Sequence, residues 1–109
     1  MPVSTREKVQ ALSRDFGSQR RVAALLGVSP SQVSRWIRSG GVDPDNAEKV
    51  DALEHAMGSL LRLYESAAAE AWLVGFNPHL GARPIDLVRA GRASELLRAI
   101  SVERAGSYA

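Results

Sequence analysis

Gly27 limits what this chain can fold into more than any other residue, because of its neighbours. Ala23 stands four residues before it and Val28 directly after it, within the run QRRVAALLGVSPSQVSRWIR from Gln19 to Arg38. That run reads as two short helices about a tight turn. The small side chain of Ala23 lets the helices cross closely, the glycine supplies the positive φ the turn requires, and Val28 plugs the turn on its apolar side. Val33 and Trp36, three apart, put one face of the second helix into a core. Ser29 is placed to cap that helix, Pro30 suits its first position, and Gln32 completes a capping box. Ser31, Gln32, Arg35 and Arg38 remain on the outer face, all able to reach bases or phosphates. This is the pattern of a DNA-binding helix-turn-helix; the plainer alternative is an ordinary helical hairpin.

Charge supports the first of these readings. The net charge is only +2 over 109 residues, but it is unevenly placed. Residues 1–42 hold seven Arg and Lys against two acids, and residues 43–109 hold seven against ten. The basic half is the half with the helix-turn-helix, so polyanion binding has its electrostatic seat there. With 45% hydrophobic and 24% charged residues, the composition is that of a globular chain. No apolar run reaches membrane-spanning length, and Glu70 interrupts the longest, near Ala67 to Phe76. Arg6, Glu7 and Lys8 occupy the place where a secretion signal needs apolar residues. Cysteine is absent, which removes disulfides, thiolate chemistry and cysteine-ligated zinc. The expectation is a cytoplasmic, all-α protein that makes no contact with a membrane.

Helix signals place seven elements. The first runs from Ser4 or Thr5 to about Phe16, with Val9, Leu12 and Phe16 on one face and Gly17 at its end. Ser18 caps the second, Gln19 to Leu26, and the third covers Pro30 to Arg38 or Ser39. Ser39-Gly40-Gly41 then breaks the pattern, and the functional boundary is expected between residues 1–42 and 43–109. Asp43-Pro44 opens a fourth helix whose Val50, Leu53, Met57, Leu60 and Tyr64 form a narrow seam. The seam either packs on the chain's own helices or pairs two copies. A fifth helix spans about Ala67 to Leu73, a sixth begins at Pro84 and ends at Gly91, and a seventh runs from Ser94 to about Arg104. No strand pattern, repeat or low-complexity tract stands out.

The second half also carries a resemblance. The run AWLVGFNPHLGARPIDLVRAG, Ala71 to Gly91, followed by ASELLRAI, resembles the C-terminal domain of Xre-type antitoxins of the MbcA/ParS group. The matching residues are Trp72-Leu73, Asn77-Pro78, Leu80-Gly81, Pro84, Asp86-Leu87-Val88 and Gly91, then Leu96, Leu97 and Ile100. In that family the domain follows a helix-turn-helix, as here. The resemblance implies an antitoxin that binds a RES-domain toxin, an NAD-degrading enzyme, and covers its active site. It also implies an autorepressor acting on the operator DNA of its own promoter.

Read as residues alone, this stretch says less. Trp72 is either a core aromatic or a contact. Asn77, Pro78, Gly81 and Pro84 shape a turn and start a helix. The exposed groups able to grip a toxin are Arg83, Arg89, Arg92, Arg104 and Tyr108, each of which is otherwise a solvated surface residue.

For DNA, Ser31, Gln32 and Arg35 are expected at base edges, where Gln32 suits adenine and Arg35 suits guanine. Ser18, Gln19, Arg20, Ser29, Arg38 and Ser39 lie at helix ends, where phosphates are held. So small a domain makes few contacts, so a homodimer on a palindrome is expected, its half-sites about one helical turn apart. Catalysis is not expected. His55 and His79 lie in different elements without metal-ligand spacing, no phosphate-cradling glycine loop occurs, and no cofactor or small-molecule substrate is implied. Two rival readings remain. One is a stand-alone helix-turn-helix repressor whose second half only dimerises. The other is an interaction module that has lost DNA binding.

Overall fold

The computed structural model describes residues 3–106. Its order is α1 (Thr5–Phe16), α2 (Gln19–Leu26), α3 (Pro30–Ser39), α4 (Pro44–Leu60), α5 (Ser66–Val74), α6 (Pro84–Arg89) and α7 (Ala93–Gly106). The described residues form no strand; an isolated antiparallel bridge joins Asn77 to Ala82. The all-α fold expected from the sequence is the fold observed.

Local chemistry sets the first four helix starts. The hydroxyl of Ser4 accepts from the Glu7 amide at 3.2 Å, and that of Ser18 from the Arg21 amide at 3.1 Å. Ser29 accepts from the Gln32 amide at 3.2 Å while its own amide donates to the Gln32 side chain at 3.1 Å, a closed capping box. Asp43 accepts from the Asn46 amide at 3.3 Å and from its side-chain amide at 2.7 Å, and these bonds hold its carboxyl below the ordinary value. Several helix bounds differ from the sequence expectation by a residue or more. α5 extends to Val74 and α7 to Gly106, whereas α4 stops at Leu60. Tyr64 therefore lies in the turn after α4, and its hydroxyl donates to Glu103 of α7.

One core serves the whole chain. Leu12, Leu26, Trp36, Leu53, Leu73, Ile85 and Leu96, one from each helix in turn, are all fully buried in a single apolar cluster. α1 packs on α2, α3 and α4; α4 in turn packs on α6 and α7, and α6 on α2. The Ser39–Val42 stretch is thus a loop between packed helices and not a gap between cores. The α4 seam goes into this core: Val50, Leu53, Met57 and Leu60 are buried against the chain's own helices.

Candidate nucleic-acid interface

Helical periodicity divides α3 cleanly. Ser31, Arg35 and Arg38 recur at offsets of four and three and share one side, while Val33 and Trp36 lie on the other. Val33 and Trp36 are buried, and Ser31, Arg35 and Arg38 are exposed. Burying an indole on one face fixes the helix about its own axis, so the outer side chains are presented in a defined direction. Among the described residues, the guanidinium groups of Arg35, Arg38 and Arg20 have no hydrogen-bond or ion-pair partner, and all three residues are exposed.

The turn has the expected geometry. Gly27 adopts φ +74°, and the Val28 amide donates to the Ala23 carbonyl at 3.0 Å. Val28 is half-buried against the core. At the start of α2 the amides of Gln19 and Arg20 precede the first capped position and point away from the helix body, as phosphate-binding amides do.

Two of the expected DNA contacts have other commitments. The side-chain oxygen of Gln32 is held by the Ser29 amide, so two-pronged recognition of adenine, which needs that oxygen and the amide nitrogen together, must compete with the capping box. The Ser39 hydroxyl donates to the Arg35 carbonyl at 2.8 Å. A further cation comes from outside the motif. Arg6 of α1 lies beside the end of α3, with its Cδ 3.8 Å from where a Cβ on Gly40 would stand. Sequence spacing gave no sign of this, since 34 residues separate the two.

The second half places its motif residues around one loop. The Asn77 carbonyl accepts from the amides of Leu80 and Gly81 at 3.1 and 2.9 Å, its side chain accepts from the His79 amide at 3.0 Å, and its own amide donates to Ala82 at 2.9 Å. Gly81 takes φ +65° to close the loop, and Pro84 starts α6 as a buried first residue. Gly91 ends that segment with φ +72°. Trp72 is half-buried against the core.

The arginines expected at a partner surface are largely engaged within the chain. Arg83 forms an ion pair with Asp86 at 2.9 Å and holds that carboxyl below its ordinary value. Arg92 pairs with Glu95 at 2.6 Å. Arg89, although exposed, reaches across to α2, where it donates to the carbonyls of Leu25 and Ala24 at 3.0 and 2.7 Å. Arg104 is half-buried on α7, and Tyr108 lies outside the described residues. What the surface does offer is apolar. Phe76 is 69% exposed, with Val102 at 50% and Val74 at 41%. One shallow hollow includes Trp72, Phe76 and His79, and the hollow next to it shares His79 and includes Val102. Nothing in the local sequence marks Phe76 as a surface group; the closed loop after it leaves the ring outside.

Among the described residues no group of His, Cys, Asp and Glu is arranged to hold a metal ion, and no helix is long and apolar enough to cross a membrane. His55 and His79 line separate surface hollows.

A family model described as a helix-turn-helix matches residues 17–53. The match makes this segment an Xre-like helix-turn-helix of the kind found in DNA-binding regulators. It starts at the end of α1 and runs past Val42 into α4, in keeping with the shared core. Comparison with curated proteins and with solved structures finds no match.

Proposed function

We propose that this chain is an antitoxin and autorepressor. α3 enters the major groove of operator DNA at its own promoter, and the C-terminal half neutralises a RES-domain, NAD-degrading toxin by covering its active site. The observation that carries the DNA arm is the α3 outer face, with Arg35 and Arg38 unpartnered opposite a buried Trp36. Arg35 takes the base-edge role, together with Ser31. Gln32 contributes its side-chain nitrogen. Arg20, Arg38, Ser18, Gln19 and Ser39 sit where phosphates pass, and Arg6 adds charge at the far end of α3.

Two things support the toxin arm. The first is the likeness of Ala71–Gly91 to the MbcA/ParS antitoxins. The second is that Phe76 and Val102, both exposed, lie in two hollows of this half that share His79, since clustered exposed apolar groups mark contact surfaces. Phe76 is the proposed anchor, and Arg83, Arg92, Arg104 and Tyr108 are the polar groups proposed to contribute to the contact. A homodimer binds the palindrome through a surface other than the α4 seam, which the chain's own core occupies.

Anisotropy titration of a duplex taken from upstream of the gene tests the first arm. The expected result is binding that weakens steeply with salt; no binding at low salt overturns it. Co-expression with a neighbouring gene bearing the RES signature tests the second. Rescue of growth and co-purification are expected, and failure of both leaves the stand-alone repressor.

A further inference from the structure

We infer that Arg89 is a positioning residue for DNA recognition, holding the turn of the helix-turn-helix from the opposite half of the chain without itself contacting the duplex. This rests on the DNA-binding reading above.

The turn has more backbone groups to satisfy than it can satisfy alone. Within a continuing helix the Leu25 carbonyl would accept from the Ser29 amide. Here that amide is committed to Gln32 in the capping box. Leu25 is left with an open acceptor, and the Arg89 Nε fills it at 3.0 Å. The Ala24 carbonyl receives the Gly27 amide only at 3.3 Å, and Arg89 Nη2 adds a second donor at 2.7 Å. The planar guanidinium therefore spans two adjacent carbonyls at the end of α2, where its positive charge also opposes the negative end of the helix dipole. Its side chain lies across the turn, with Nε 3.5 Å from where a Cβ on Gly27 would stand.

The arginine is itself held firmly. It is the last residue of α6, a short helix whose Pro84, Ile85, Leu87 and Val88 are all buried. Lys8 to Asp51 at 2.8 Å and Arg21 to Glu70 at 3.6 Å also cross from the N-terminal helices to the rest of the chain. They hold α1 and the start of α2, and neither reaches the turn. The turn sets the angle between α2 and α3, and with it whether Arg35 meets bases while Arg20 meets phosphate.

The test compares full-length wild type, Arg89→Met and Arg89→Lys on the same upstream duplex, titrated at several salt concentrations. Arg20→Ala serves as the reference for a lost phosphate contact. Arg89→Met is expected to weaken binding by at least about fivefold while leaving the slope of log affinity against log salt unchanged. Arg20→Ala should lower that slope by about one. Arg89→Lys, which keeps the charge but not the fork, should fall between wild type and Met. A slope reduced in Arg89→Met would make Arg89 a phosphate contact, and unchanged affinity would remove the positioning role; either overturns the inference.

Amide hydrogen exchange at Gly27 to Ser29 reads the turn without DNA. Faster exchange there in Arg89→Met, with the α4 core amides unchanged, is expected. Unchanged exchange at the turn overturns the inference even if wild type binds no DNA. A variant that unfolds is recognised by exchange everywhere, and Arg89→Lys then carries the comparison.

Discussion

At the scale of single residues, Arg35, Gly27 and Gln32 each contribute to the helix-turn-helix in a different way. Arg35 faces outward without a partner, so Arg35→Ala should leave the melting temperature unchanged and cost about 1–3 kcal/mol on the preferred site, with base preference lost at one position. Titration of matched and single-base-changed duplexes checks this. Gly27 is the opposite case. At φ +74° an alanine is strained, and Gly27→Ala should destabilise the fold by about 1–2 kcal/mol in a urea titration. The cost should be backbone strain alone, because the new Cβ would meet Arg89 at 3.5 Å, an ordinary contact. Gln32 does two things at once. Its residue type and position were legible as both a capping and a base-reading group, but which use its oxygen serves is settled only by the capping bond to Ser29.

At the scale of elements, the helix starts were legible because their signals are local. Ser4, Ser18, Ser29 and Asp43 each bond an amide three residues on, a distance that sequence spacing captures. The exact end of α5 was less legible, since the helix closes on Gly75 and not on the Asn77-Pro78 stop that lies further on. The cap at Asp43 gives α4 a pH signature. Its carboxyl titrates below the ordinary 3.8 in the folded chain, so its contribution is complete above that value and disappears as pH falls through the folded value. Asp43→Asn keeps an oxygen for the Asn46 amide but cannot titrate. Its urea midpoint should fall less steeply than wild type as pH drops below about 4. Identical profiles would show that the cap does not depend on the carboxylate charge.

At the scale of the whole molecule, the contacts that tie the halves together were the least legible. Arg89 and Leu25 are 64 positions apart, and nothing in either neighbourhood marks the pairing. The same applies to the burial of α1 against α4. A fragment of residues 1–42 lacks α4, on which α1 packs, and should show no cooperative thermal transition by circular dichroism, whereas the full chain should unfold in one. A cooperative fragment would establish the head as independent. On the outer surface, Phe76→Asp should leave that transition and DNA binding intact and reduce rescue from the toxin, measured as growth on co-expression. Full rescue by this variant would move the partner surface elsewhere.

The shared interior also bears on how such proteins can be recombined. Exchanging the first forty residues for those of another regulator would leave the inner side of α4 facing unfamiliar side chains, and would leave an arginine reaching for carbonyls that no longer stand in the same place. New operator preferences should therefore arise in this scaffold by substitution on the outside of α3 more readily than by transplanting an entire head.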